Sequence, residues 1–318
     1  MTMSLALVFP GQGSQSVGML AELGAAHAIV RSTFAEASQA LGYDLWERVS
    51  SGPAESLNQT ECTQPAMLVA GVATWRAWQQ LGGPMPALVT GHSLGEFTAL
   101  ACAGTFAFGD AVQLVRDRGR YMQEAVPAGS GAMAAILGLE DEDVEAACAE
   151  AAQGEVVEAV NYNSQGQVVI AGAAAAVARA IEAARGRGAK RAVALPVSVP
   201  AHSSLMWSAG ERLRERLAGL AMAAPAVPYL SAVDAAEHRD PEDIRALLVR
   251  QISSPVRWAA TVRVVVARGA KVIAECGPGS VLTSLNRRIE RRRSDIQCVA
   301  LEDTAALEAA MVALNAAP

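Results

Sequence analysis

Apolar residues follow two rhythms along this chain. Short unbroken runs at residues 4–9, 87–90, 229–233, 271–275 and 296–301 stop at proline, glycine or charged residues, as strands buried on both faces do. Between them, helical spacing covers stretches such as 65–81, 96–103, 241–252 and 256–268, with Pro65 suited to the first turn of its helix. Alternation of this kind predicts a parallel sheet with helices on both faces.

The middle of the chain has a different rhythm. Residues 131–137, 155–160, 167–172 and 191–197 read as strands, and 140–152 and 173–185 as helices. That order is β-α-β-β-α-β, the ferredoxin-like pattern, which closes its own antiparallel sheet with helices on one side. The expected fold is therefore α/β: a parallel-sheet body from residues 1–127 and 200–318, with an inserted ferredoxin-like subdomain at 128–199. A cleft between two such bodies is a favoured place for a small-molecule site.

Composition narrows the class. With 318 residues, 52% apolar and 18% charged, the chain can bury a large core and does not resemble a disordered protein. The apolar run in residues 1–10 has no Lys or Arg before it and is too short for a secretory signal, and no segment is long enough to span a bilayer. Five cysteines, Cys62, Cys102, Cys148, Cys276 and Cys298, lie far apart without a C-x-x-C pair. An odd, scattered set fits reduced thiols in the cytoplasm and supports no metal site. The net charge of -6 argues against a protein that coats nucleic acid or an anionic membrane.

The chemistry centres on Gly91-His92-Ser93-Leu94-Gly95, between a strand and a helix. A serine displayed on such a tight turn needs small residues two places on either side, and the turn aims the first N–H groups of the helix at a developing oxyanion. The alternative, Ser93 as a simple helix cap, requires neither glycine.

A serine hydroxyl needs a base, and there are four histidines. His27, near Glu22 and Arg31, and His238, in Glu237-His238-Arg239-Asp240, read as solvated. His92 adjoins the serine but projects in another direction, which suits a supporting role. His202, where the chain returns from the insert, is the best base, with a helix-end or core role as its alternative. No Asp or Glu stands ready to orient it, a task that a backbone carbonyl can also perform.

On the helical stretch 111–125, Ala111, Val115, Arg118, Met122 and Ala125 share one face, while Gln113, Arg116, Asp117, Arg120 and Glu124 lie mostly elsewhere. Arg118 is then the inward arginine. It either binds a substrate carboxylate through two parallel hydrogen bonds, or pairs with an internal acid, or snorkels to solvent. Gly11-Gln12-Gly13-Ser14-Gln15 lacks the third glycine of a dinucleotide fingerprint, because Ser16 takes its place, and reads instead as a polar oxyanion loop. Gly277-Pro278-Gly279-Ser280 reads as a structural turn with Ser280 capping the next helix.

Taken together, Phe9-Pro10-Gly11-Gln12-Gly13-Ser14-Gln15, Gly91-His92-Ser93-Leu94-Gly95-Glu96, residues 129–136, Asn161-Tyr162-Asn163-Ser164, residues 197–202 and residues 275–282 resemble the malonyl-CoA:acyl-carrier-protein transacylase family. The likeness runs from residue 7 to about residue 289, in the family's order. It implies an α/β-hydrolase-like body with the ferredoxin-like insert, and malonyl transfer from coenzyme A to a carrier-protein thiol through a malonyl-serine, supplying fatty acid biosynthesis.

The resemblance also assigns residues. Ser93 is implied as nucleophile, His202 as base and Arg118 as the malonyl clamp. Gln12 and the Leu94 N–H are implied as oxyanion donors, and the Gln251 carbonyl as the group orienting His202. His92, Asn161, Asn163, Val199 and Ala201 fall in the substrate pocket. No cofactor is implied, since the coenzyme A ester is a substrate, and a monomer is expected. The chain departs from the family at Leu230-Ser231-Ala232, where paired asparagines are common, and at Ala201, where a serine often stands; both departures are assigned to the pocket mouth.

Two other functions compete with this one. A serine hydrolase, such as a thioesterase, would employ Ser93 and His202 but admit water, and a silent carrier-docking module would need neither. Carrier proteins are generally acidic, so the basic strings Arg185-Gly186-Arg187-Gly188-Ala189-Lys190-Arg191 and Arg287-Arg288-Ile289-Glu290-Arg291-Arg292-Arg293 are either docking patches or solvated faces.

Overall fold

The computed structural model describes residues 4–197 and 199–315. The first three residues of the 1–10 run, Ser198 of the 197–202 motif and residues 316–318 at the end of the body segment lie outside the described residues.

Two sheets are present among the described residues. One contains β1 (Leu5–Phe9), β2 (Leu88–Gly91), β7 (Tyr229–Leu230), β8 (Glu237–His238), β9 (Val272–Glu275) and β10 (Gln297–Ala300), in the order β10-β9-β1-β2-β7-β8. All neighbours are parallel except the β7–β8 pair. β1 is central, so both of its faces are buried. Leu5, Leu7 and Phe9 join one apolar cluster, while Ala6 and Val8 join the opposite one with Trp258, Val262 and Leu285. An unbroken apolar run without polar alternation is the consequence.

The other sheet contains β3 (Gly131–Leu137), β4 (Val157–Ser164), β5 (Gln167–Ala173) and β6 (Arg191–Ala194), in the order β4-β5-β3-β6 with every pair antiparallel. The helices Asp141–Ala152 and Ala174–Gly186 pack against Ala134, Ile136, Val168 and Ile170 on one face. Met133, Val160, Val169 and Ala171 form the other face, packed with Leu195, Val197 and Ala201. Backbone bonds from Tyr162 N–H to the Val256 carbonyl (2.9 Å) and from Val256 N–H to the Val160 carbonyl (2.8 Å) tie β4 to the chain entering the helix Trp258–Ala267.

Several local expectations need correction. The helix holding Pro65 begins at Thr60, which places the proline inside it. Its first turns carry no apolar rhythm because the buried Thr60, Thr63 and Gln64 face polar partners; the Thr63 hydroxyl, for instance, donates to the Leu57 carbonyl at 2.6 Å. The strand expected at 229–233 is limited to Tyr229–Leu230, and β8 escaped notice because two half-buried polar residues make no pattern. Ser280 makes no side-chain cap. The buried Glu275 carboxylate accepts from the N–H groups of Leu282 (3.0 Å) and Thr283 (2.7 Å) instead, so the charge at the end of β9 holds the following helix. Neither His27 nor His238 is fully solvated: both are half-buried, His27 Nε2 lying 3.1 Å from Thr304 Oγ1 and His238 Nε2 3.2 Å from the Asp234 carboxylate.

Candidate active site

β2 ends at Gly91, and the helix Gly95–Cys102 begins almost at once. The intervening Ser93 has φ 54, a left-handed conformation that strains any residue with a Cβ. A Cβ on Gly95 would lie 2.0 Å from the Phe9 carbonyl oxygen, so the glycine lets the turn nestle against β1. The serine is not a cap, since the Leu94 N-cap position has no side-chain cap bond. Instead, Ser93 Oγ lies 2.7 Å from His202 Nε2 and accepts from Arg118 Nη2 at 3.3 Å.

His202 Nδ1 lies 2.9 Å from the Gln251 carbonyl oxygen. A carbonyl only accepts, so Nδ1 carries the hydrogen and Nε2 is left with a lone pair facing the serine. Burial, with the nearby Arg118 charge second, pushes the imidazole down to about 3, which keeps it neutral around neutrality with its Nε2 lone pair free to accept a proton. His202 is also left-handed, at φ 68, and its own N–H bonds the Ile252 carbonyl at 3.2 Å.

Arg118 is 1% exposed, which removes the snorkelling alternative. Its Nη1 donates to Gln64 Oε1 at 2.8 Å and its Nη2 to Gln251 Oε1 at 3.0 Å, while Nε has no partner among the described residues. No acid pairs with it there either. Burial lowers its pKa to about 10, the Glu96 charge opposing, so the guanidinium keeps its proton. Asp117, expected on an outer face, is itself buried at 6% because the helix Trp207–Ala218 covers it. Arg216 (3.0 Å), Arg116 (3.3 Å) and Arg120 (3.4 Å) surround its carboxylate, which is therefore occupied elsewhere.

These groups open onto a cavity of about 420 Å³, also lined by Gln12, His92, Leu94, Asn161, Val199 and Ala201. Met133 and Leu195 of the four-stranded unit line it too, so the cavity sits between the two sheets. Two residues expected in the pocket or beside it stand behind it. Asn163 lies with Oδ1 2.9 Å from His92 Nε2 and fixes that ring, and Gln251 is fully buried. Gln12 is exposed, with Nε2 at 3.5 Å from Thr60 Oγ1, and the Leu94 N–H donates to no protein group among the described residues. Both donors are therefore available to a ligand. Ser231 and Ala232 are fully buried and do not line the cavity, so the departure at 230–232 lies behind the serine turn and away from the pocket mouth.

Sequence reasoning overlooked Gln64 and the side chain of Gln251. Both are amides whose oxygens face Arg118, on helices where a buried glutamine leaves no apolar rhythm to read. The five cysteines are free, and no cluster of three or more metal-ligating side chains occurs among the described residues. No helix among them is long and apolar enough to cross a membrane.

The acyl transferase domain family matches residues 6–304. The malonyl CoA-acyl carrier protein transacylase of Salmonella typhimurium is 55% identical over 306 residues, covering 96% of this chain and 98% of that protein. Among solved structures, the malonyl CoA-acyl carrier protein transacylase of Coxiella burnetii superposes with a TM-score of 0.97 at 48% identity, over 99% of this chain and 98% of that one. A type II PKS acyl-carrier protein in complex with its malonyl-transacylase gives a TM-score of 0.95 at 51% identity, over 97% and 99% of the two chains. A serine, a carbonyl-oriented histidine and an arginine without an acid partner meet in one cavity, and with likeness over almost the whole length the chain belongs to the malonyl CoA-acyl carrier protein transacylase family of acyl transferases.

Proposed function

We propose that this enzyme moves a malonyl group from coenzyme A to the phosphopantetheine thiol of an acyl carrier protein through a malonyl-Ser93 ester, supplying fatty acid biosynthesis. The observation that carries the reading is Ser93 Oγ held between the His202 base and a buried guanidinium that has no carboxylate of its own.

In the first half, Ser93 Oγ attacks the thioester carbon as His202 Nε2 takes its proton, and the same proton returns to the departing coenzyme A sulfur. In the second half, His202 takes the proton of the pantetheine thiol, whose sulfur attacks the ester, and Ser93 recovers the proton as it leaves. The Leu94 N–H and Gln12 Nε2 hold the oxyanion in both halves. Arg118 grips the malonyl carboxylate through two parallel hydrogen bonds. An acetyl group offers it nothing, which gives the site its selectivity. His92, steadied from behind by Asn163, shapes the pocket wall with Asn161, Val199 and Ala201.

Residues 128–199 serve as the subdomain that closes the cleft over the body formed by 1–127 and 200–318. The protein works as a cytoplasmic monomer without a cofactor. For the acidic carrier, the string ending at Arg293 is the better dock: Arg291 and Arg292 are exposed without ion pairs among the described residues, whereas Arg185 and Arg187 are already paired with Glu182 and Glu150.

Intact-protein mass after brief exposure to malonyl-CoA tests the reading, with acetyl-CoA and Ser93→Ala as controls, followed by carrier protein. A malonyl adduct that requires Ser93 and moves to the carrier supports it. An adduct lost only to water makes the protein a hydrolase, and carrier binding without any adduct makes it a docking module.

A further inference from the structure

Behind the serine turn, out of reach of the cavity, lies a buried carboxylate that the reaction does not use. Glu96, Tyr229, Ser231 and Gln251 are all fully buried. The Tyr229 hydroxyl donates to Glu96 Oε2, and Gln251 Nε2 donates to Glu96 Oε1 at 2.9 Å and to the Ser93 carbonyl at 2.9 Å. The other end of the same amide, Gln251 Oε1, accepts from Arg118 Nη2.

An amide has two unlike ends, and here the difference matters. Were the Gln251 side chain reversed, its NH2 would face the guanidinium, donor against donor, and its oxygen would face the Ser93 carbonyl and a carboxylate, acceptor against acceptor. Gln251 and Glu96 are fully buried, and unpaired buried polar atoms are costly. Burial raises the pKa of Glu96, and the hydrogen bonds from Tyr229 and Gln251 oppose that rise and favour the carboxylate, which can only accept. In its ionised form Glu96 also supports the protonated form of Arg118 by direct charge attraction.

We propose that Glu96, held by Tyr229, is a positioning residue that fixes the direction of the Gln251 amide and thereby sets the Arg118 guanidinium against Ser93 for a carboxylate-bearing acyl group. The inference rests on the proposed function. The Ser231 side chain and the Ala232 backbone N–H add to the hydrogen bonding of the Glu96 carboxyl beside the Tyr229 hydroxyl.

The test is the rate of Ser93 acylation by malonyl-CoA and by acetyl-CoA in the wild type, Tyr229→Phe, Glu96→Gln, Arg118→Ala and the Tyr229→Phe/Arg118→Ala pair. Tyr229→Phe keeps the ring and removes only the hydroxyl, so it should raise the KM for malonyl-CoA about tenfold, the worth of one buried charge-assisted hydrogen bond, and leave the slow acetyl reaction unchanged. Glu96→Gln should show the same split. In the Arg118→Ala background, Tyr229→Phe should have no further effect, because its route of action is gone. Equal losses for malonyl and acetyl, wild-type behaviour in both variants, or additivity with Arg118→Ala would each overturn the positioning role. Failure of the wild type to form malonyl-Ser93 would instead overturn the proposed function.

Discussion

A Cβ on Gly91 would stand 1.9 Å from the carbonyl carbon of Gly95. No rotamer change relieves that overlap, because the backbone fixes the Cβ position and the carbon it meets is itself backbone. The two glycines are therefore what permit the strand to end, expose Ser93 and re-enter a helix within a few residues.

Gly91→Ala should accordingly cost about 3 kcal/mol or more in unfolding free energy, the upper part of the range for forced overpacking. Its Ser93 should also acylate poorly, since the turn must open to accommodate the methyl group. Denaturant unfolding together with burst acylation by malonyl-CoA checks this. An alanine variant with wild-type stability and a full burst is incompatible with the geometry.

Arg118→Ala should lower malonyl acylation by about a hundredfold, as expected for losing a charge-assisted pair worth roughly 3 kcal/mol, and change acetyl acylation far less. The free variant also leaves Gln64 Oε1 and Gln251 Oε1 without their shared donor, so some loss of stability should accompany the change. Acylation by the two esters, compared in the same preparation, separates the effects. A parallel fall in both rates would assign Arg118 a structural role.

Much of this was legible because the signals were repetitive or sterically forced. The apolar runs gave the central strands, the β-α-β-β-α-β order gave the second sheet, and Gly91 and Gly95 marked the serine turn. Ser93, His202 and Arg118 were identifiable one at a time, from a turn, an elimination and a helix face. Their support was not. Gln64, Tyr229, Asp117 and the Gln251 side chain act through hydrogen bonds and ion pairs to residues distant in the chain, which leave no period in a sequence. Ser280 misled for a related reason: its spacing suited a cap, but the cap comes from Glu275 on another element.

That last substitution of roles is testable. Glu275→Ala removes an acceptor serving two buried N–H groups and should destabilise the fold by about 3 kcal/mol, whereas Ser280→Ala should stay within about 0.5 kcal/mol of wild type. Thermal or denaturant unfolding distinguishes them. Equal losses in the two variants would return the cap to Ser280.

The low basicity of His202 has consequences for both activity and stability. Burial is the first cause and the Arg118 charge the second, and together they hold the imidazole at about 3 in the free enzyme. The kcat/KM for malonyl-CoA reports the free enzyme, so its His202 limb should lie far below the ordinary imidazole value. Once bound, the malonyl carboxylate offsets the Arg118 charge and removes the second cause. The limb in kcat should therefore sit at a higher pH than the limb in kcat/KM, and in Arg118→Ala the two should converge. For stability, the folded value lies below the unfolded 6.5, so as pH falls the unfolded chain takes the proton first. The contribution of neutral His202 is complete above about pH 6.5 and is lost as pH falls toward the folded value of about 3. Unfolding of wild type and His202→Asn, compared from about pH 7 down to about pH 4, should show a stability difference that shifts against the wild type with acid. A difference independent of pH, with coincident limbs in kcat and kcat/KM, would mean that neither burial nor Arg118 perturbs this histidine.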